Sequence, residues 1–557
     1  MTDAKGMKPF TLQSHLNTLL DHLNELRHKQ ILDSDDPHYG GVVRPIYGLP
    51  DAKLDVHFAN VCAYLLLGNI TLDDHVIQQA HLALDHAMKM QRASGNVDLI
   101  EVNIDSGPDS AFTVQNLCHI FELAQDHSVD HPQWQPLLDK IETFIRRCIP
   151  GICSGGFHTP NHRWVIVSAL VQAKAAFPDL DVVETVESYL AEGLDIDEEG
   201  FYLERSVGVY DGVNNRSLLM IGQHWDFPEA LTAVQKNLTL DLHLLHSDGS
   251  AETGLSRRQD YSTREVPFML INCYLLSHYL NPNPLFLQAA HTLWQKHQTA
   301  PKDMLWLTYA LFKGGDPSPL PENVTLPTSF TRHFPFNGIW RVRRDLLSAS
   351  VFQGVTRLLT LSYGQAELSS LKISHGYFGG AAGHFISDHL QVEDGQATIQ
   401  SDGLGKLRRP AYELPLGKQV PPEQYNAMLA ERSQNPLPPA KCALTFREIE
   451  AGFEIQYQTL FEMDNVATQL ALDFPVGGIW ETDNTALMPQ AGQIIFLKQG
   501  RGAMRYGNDR IEINAGHQAH QIWALREAET APNHVRVLLT FLTPVDFTFT
   551  LTGRRGL

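Results

Sequence analysis

Apolar residues recur at three- and four-residue spacing through the first part of the chain. The recurrence predicts helices over 12–26, 56–67, 74–90, 111–125, 137–148, 163–177, 182–192, 215–224, 228–238, 266–279, 284–298 and 303–312. That is about twelve helices with no convincing strand between them, and their short connections imply antiparallel neighbours. No unit repeats closely enough for a solenoid. A ring of helical hairpins, an (α/α) toroid, pairs this many helices without sequence identity between pairs, and is expected to occupy residues 1–315.

The pattern then changes. Gly314-Gly-Asp-Pro-Ser-Pro-Leu-Pro321 breaks helices and opens a linker at 316–330. Over 331–557 the period becomes two, and β-branched and aromatic residues dominate, as in 347–353, 357–362, 453–460, 467–474, 493–498 and 535–542. Tyr506-Gly-Asn-Asp is a hairpin turn. The expectation is an antiparallel β-sandwich following the toroid, a multidomain α+β chain. Residues 402–440, rich in proline and glycine, predict a long loop in the sheet domain.

Composition narrows the function. The length of 557 residues suits two or three domains. A net charge of −20 argues against non-specific nucleic-acid binding, though local arginines can still form a positive cleft. No run of about 18 apolar residues predicts a membrane span. The start lacks the apolar core of a secretory leader, which places the protein in the cytoplasm, or in the periplasm or outside the cell if a leader has been removed. Six scattered cysteines read as buried free thiols.

Four places carry candidate chemistry. In His158-Thr-Pro-Asn161-His162-Arg163-Trp164, Thr159 and Pro160 read as an N-cap and first helical residue. Asn161, His162 and Arg163 then lie in a first turn, whose free N–H groups suit a carboxylate. Tyr202, Arg205 and Tyr210 lie in a polar loop expected before a helix, and a phenol there needs a cationic neighbour to serve as a base. Arg257 and Arg258, in the loop 246–261, can grip carboxylates or sulfates. In the sheet domain, His375 begins a glycine-rich run that reaches His384, and Trp340 can stack on a sugar. Each feature alone is also what ordinary helix starts, packing tyrosines and bulged strands show.

The order Asn161-His162, then Tyr210, then His375 after the helical part resembles the heparinase II/III-like and alginate-lyase-like polysaccharide lyases. The resemblance implies β-elimination on a uronate-containing poly- or oligosaccharide of glycosaminoglycan or alginate type. Asn161 would neutralise the C5 carboxylate, Tyr210 would act as acid and also as base where the two protons lie on one face of the sugar, and His162 or His375 would act as base for the other epimer. Arg163, Arg205, Arg257, Arg258 and Trp340 would bind the anionic chain. The implied chemistry requires no cofactor. Relatives that hold a structural metal place a second histidine beside the sheet histidine; here His375-Gly-Tyr-Phe departs from that, leaving only His384 and Asp388 for such a site. A homo-oligomer is compatible with all of this. Two other readings stay open: a toroid glycoside hydrolase using Asp105, Asp109, Asp211 or Asp248, and a carbohydrate-binding protein without chemistry, using Trp164, Trp225 or Trp340.

Overall fold

A computed structural model describes residues 8–297, 304–317, 320, 322–377, 383–404 and 411–556. Parts of the anticipated linker (318, 319, 321), glycine-rich run (378–382) and long loop (405–410), and the predicted helix ends at 298 and 303, lie outside the described residues. The described residues divide between two compact units, Met1–Leu242 with Gly249–Leu326, and His243–Asp248 with Pro327–Leu557.

The first unit is built from α1 (Leu12–Arg27), α2 (Ala52–Leu67), α3 (Asp74–Met90), α4 (Gly107–Asp126), α5 (Trp134–Ser154), α6 (Pro160–Ala176), α7 (Val183–Leu190), α8 (Tyr210–His224), α9 (Glu229–Leu244), α10 (Phe268–Leu280), α11 (Pro284–Lys296) and α12 (Met304–Gly314). Helices α2, α4, α6, α8, α10 and α12 pack in succession, and α1 packs on both α2 and α12 to close the ring. Helices α3, α5, α7 and α11 flank them. Sequence dictates this division. In α2, α6, α8 and α10 most residues, spread around the helix, are buried, as an inner helix covered on several sides requires. In α5 only one stripe, including Leu137, Ile141, Phe144 and Cys148, is buried, as an outer helix requires.

Two hairpins interrupt the helices where no strand was expected: Val43–Arg44 with Leu49–Pro50, and Val97–Leu99 with Asn103–Ser106. Segments of two to four residues are too short for a period of two to register.

The second unit holds two sheets. One runs Ile494–Phe496, His534–Leu542, Ala467–Pro475, Ala366–His375, Leu359–Tyr363, Leu347–Phe352, Ile339–Arg344, Ser329–Phe334. The other runs His389–Glu393, Gln396–Ser401, Cys442–Ile449, Gly452–Thr459, Asp546–Arg555, Asp509–Asn514, Arg501–Tyr506, Ile479–Thr482, Ala486–Leu487. Every pairing is antiparallel except that of Ile494–Phe496 with His534–Leu542. Side chains from both sheets, among them Trp340, Leu371, Phe446, Phe453, Leu472 and Phe549, form one core. The architecture is an (α/α) toroid followed by an antiparallel β-sandwich. Within the anticipated long loop, Ala411–Glu413 pairs with Gln434–Pro436. Segment 243–248 belongs to the sandwich because Arg341 Nε donates to the His243 carbonyl at 3.2 Å and Arg343 Nη1 to the Leu245 carbonyl at 2.9 Å. All six cysteines are free thiols.

Candidate active site

Two loops of the toroid meet in front of the first turn of α6. The Arg257 N–H donates to the Glu204 carbonyl at 3.0 Å, and the Gly208 N–H donates to Asp260 Oδ2 at 3.2 Å. Residue 208 must be glycine for this approach, since a Cβ there would stand 2.8 Å from the Asp260 carboxylate. Ser256 Oγ accepts from the Arg258 N–H at 3.1 Å and hydrogen-bonds Asp260. The turn so formed aims Arg258 and Gln259 at Tyr210.

A connected set of side chains results. Asn161 Nδ2 donates to Glu204 Oε1 at 2.6 Å and to Thr159 Oγ1 at 3.2 Å. Arg258 Nε lies 3.6 Å from Glu204 Oε1, while its Nη2 donates to the Tyr210 hydroxyl at 3.1 Å. The guanidinium carbon stands 4.4 Å from the Tyr210 ring centroid, a cation–π geometry. The Tyr210 hydroxyl donates onward to Gln259 Oε1 at 3.0 Å. Burial raises the Glu204 carboxyl, opposed by the Asn161 hydrogen bond and by Arg258. Asn161 is 0% exposed and its Oδ1 has no partner.

His162 sits beside this set. Its ring meets His158 edge-on at 4.5 Å and Phe112 at 6.1 Å. Burial, reinforced by His158, pushes its imidazolium down to about 4, so the ring is neutral at pH 7. Neutral imidazole accepts a proton, which is the form a base needs.

The remaining expected residues are placed unevenly. Arg163 is buried and spends its charge on Glu192 at 3.0 Å and Asp195 at 3.4 Å. Arg205 is half-buried with φ of 51°, and Arg257 is exposed. Burial and the nearby Arg257 hold the Arg205 guanidinium below its ordinary range. Tyr202 is 1% exposed and donates to Asn215 Oδ1 at 2.9 Å, so of the two phenols only Tyr210 has a surface to offer. Tyr210 is the first residue of α8 rather than part of a loop; the Tyr210 N–H donates to Ser206 Oγ at 3.1 Å.

Two expected ligand contacts lie in the sandwich core instead. His375 is 1% exposed, its Nε2 3.5 Å from Cys442 Sγ and its ring 5.1 Å from Phe461. Burial pushes its imidazolium down to about 3. Trp340 is 0% exposed and packs edge-on against Phe453. Both follow from the register of their strands, whose alternation points these side chains between the sheets. Neither presents a surface to a sugar. Trp164 is buried as well. Of the aspartates, Asp211 is fully buried and Asp109 is ion-paired with Lys53 at 2.7 Å. Among the described residues no three His, Cys, Asp or Glu side chains gather as a metal site, and no helix is long and apolar enough to cross a membrane.

Beneath the set lies a buried polar layer. Asn215 Nδ2 donates to Asn237 Oδ1 at 2.6 Å, and Asn237 Nδ2 reaches Asp211 Oδ2 at 3.4 Å. Asp241 completes the layer beside Asp211. Burial pushes Asp211 up to about 7 and raises Asp241 further, the Asp211 charge adding to it. An acid raised on folding costs nothing below its unfolded value near 4, and its full penalty is present above its folded value. Stability contributed by this pair therefore falls as pH rises from about 4 through 7. Asp241→Asn removes one ionisable partner and is expected to raise the melting temperature by about 3–6 °C at pH 8 and by much less at pH 5, read by calorimetry at both pH values. Equal shifts at the two pH values would contradict the assignment.

A toroid followed by a sandwich defines a class of fold, that of the toroid polysaccharide lyases. Three solved structures of that class are similar to this chain. Heparinase III matches with a TM-score of 0.52 at 9% identity, over 91% of this chain and 77% of that one. Streptomyces coelicolor A3 chondroitin AC lyase, in complex with chondroitin sulphate, matches at 0.53 and 10% identity, over 99% and 80%. Paenibacillus xanthan lyase matches at 0.58 and 8% identity, over 97% of this chain and 57% of that chain. No protein-family model matches the sequence, and no curated protein matches it.

Proposed function

We propose that this protein is a polysaccharide lyase that cleaves a uronate-containing chain by β-elimination. The observation that carries the reading is the continuous arrangement Asn161–Glu204–Arg258–Tyr210, which places an amide donor and a phenol on one wall of a toroid. Glu204 fixes one amide hydrogen of Asn161 at 2.6 Å. Asn161 is buried beneath this wall, so its longer 3.2 Å contact to Thr159 must open, and the cover over the amide with it, before a uronate carboxylate takes that hydrogen. Hydrogen bonding to that carboxylate stabilises the charge that develops when the C5 proton leaves.

The C5–H bond then breaks, its electrons form the C4–C5 double bond, and the C4–O bond breaks as its oxygen takes a proton. Tyr210 supplies that proton. Where the C5 proton lies on the same face, the phenolate takes it and returns it to the leaving oxygen. Where it lies on the opposite face, neutral His162 takes it. No water is consumed, and no step calls for a cofactor. Arg205, Arg257 and Arg258 supply positive charge around the anionic chain; Arg163 holds the helix end instead, and neither His375 nor Trp340 takes part.

The test is ultraviolet absorbance during incubation with a panel of uronate polysaccharides and oligosaccharides. A rise from conjugated unsaturated uronate, absent in Tyr210→Phe, is expected. New reducing ends without that absorbance would overturn elimination in favour of hydrolysis.

A further inference from the structure

The Tyr210 hydroxyl has two neighbours of unlike kind. It accepts from Arg258 Nη2 at 3.1 Å and donates to Gln259 Oε1 at 3.0 Å. A guanidinium has hydrogens to give and no lone pair to offer, so it favours the phenolate. An amide differs: one end accepts, the other donates, and the two have nearly the same shape.

The turn that carries Gln259 fixes its backbone and leaves its side chain free. Before it, the Arg258 N–H donates to Ser256 Oγ at 3.1 Å. After it, buried Asp260 accepts from the Gly208 N–H at 3.2 Å, and the Tyr261 N–H donates to the Arg258 carbonyl at 3.1 Å. Gln259 itself is exposed, and its Nε2 has no hydrogen-bond partner among the described residues. The last torsion of a glutamine is broad and nearly two-fold, so a turn about it brings Nε2 to the place of Oε1 with little strain.

Proton transfer gives that turn a use. For elimination on one face of the sugar, the C5 proton passes to the Tyr210 oxygen and from there to the leaving oxygen. Tyr210 begins as a phenolate, which needs donors, and becomes a phenol, which needs an acceptor. Gln259 Nε2 turned inward meets the first need and Oε1 the second, while Gln259 neither gains nor loses a proton. Hydrogen bonds to a charged oxygen are about twice as strong as neutral ones, so an amide free to turn holds the phenolate better than the phenol. An amide fixed with Oε1 inward does the reverse, because it stabilises the protonated form alone. The other charged groups around the phenol are Arg258, Glu204 at 3.6 Å from Arg258, and Asp260 on the same turn.

We propose that Gln259 is a positioning residue for Tyr210, whose amide turns with the proton and so lets one phenol serve first as base and then as acid. The proposal rests on the lyase reading above and deepens it.

The experiment is an alkaline titration of the full chain without substrate. Absorbance of the ionised Tyr210 phenol is taken as the difference from the chain carrying Tyr210→Phe. Gln259→Met keeps the length of the side chain and removes both polar ends. It is expected to raise the proton affinity of Tyr210 about threefold to fivefold, since the phenolate loses more than the phenol does. Gln259→Glu accepts but cannot donate, and its charge opposes the phenolate, so a rise of at least about tenfold is expected. A fall with Gln259→Met would show an amide that only accepts, and no change would show one that does not act on the phenol; either overturns the proposal. Turnover gives the second readout. On a uronate chain whose C5 proton faces Tyr210, the rise of kcat with pH in Gln259→Met is expected to move upward by the same factor as the titration, with KM changing less than about twofold. An unmoved profile also overturns the proposal. Either failure with elimination intact removes this inference alone; no elimination on any uronate chain removes the lyase reading, whatever the titration shows.

Discussion

Tyr210→Phe is expected to lower kcat by about 10³–10⁴, with the Kd for an oligosaccharide changing less than about threefold. The substitution removes one oxygen. The ring on which Arg258 stacks at 4.4 Å remains, so the wall keeps its shape. What disappears is the group that, on the proposed mechanism, moves a proton to the leaving oxygen and, on one face of the sugar, takes the C5 proton first. Interactions made only in the transition state lower kcat and kcat/KM together, whereas binding contacts change KM alone. Turnover by ultraviolet absorbance and affinity by calorimetry separate the two. A loss confined to affinity would make Tyr210 a binding residue and return attention to His162.

Legibility in the sequence followed the physics of each element. The outer helices and the sheet strands announce themselves because burial along one stripe, or on alternate positions, imposes a period that a single sequence displays, while inner helices show as long apolar stretches. The start of α8 was hidden by Asp211, Gly212, Asn214 and Asn215, poor helix formers that belong there for tertiary reasons. Gly212 allows α10 to approach, since a Cβ would stand 2.5 Å from Met269 Cβ, and Asp211 and Asn215 feed the buried layer. His375 and Trp340 have the right residue types for a sugar site, but side-chain direction in a strand depends on register, which no local motif reveals. Glu204 was missed as a member of the set. Its partners Asn161 and Arg258 lie 43 and 54 positions away, and nothing in the intervening sequence marks the pairing. Tyr210 and Arg258 were legible as candidates, while their contact was not.

That contact separates a positioning role from a merely structural one. Arg258 touches the proposed acid in two ways, by a 3.1 Å hydrogen bond to the hydroxyl and by its guanidinium carbon 4.4 Å from the ring centroid, and it lies 3.6 Å from Glu204. The donation to the phenol oxygen strengthens as negative charge develops there, which is when the proton leaves. Arg258→Ala is expected to lower kcat by about 10²–10³ with a smaller change in KM. Arg258→Lys should restore little of it. A lysine ammonium is a point charge that cannot reach the ring, Glu204 and the hydroxyl together as the guanidinium fork does. The decisive measurement is the double-substitution cycle. If Arg258 acts through the phenol, its removal in the Tyr210→Phe background costs less than about threefold in kcat, because the oxygen it serves has already gone. If the two losses multiply, Arg258 acts independently of Tyr210, by binding the uronate directly or by holding the loop that carries it.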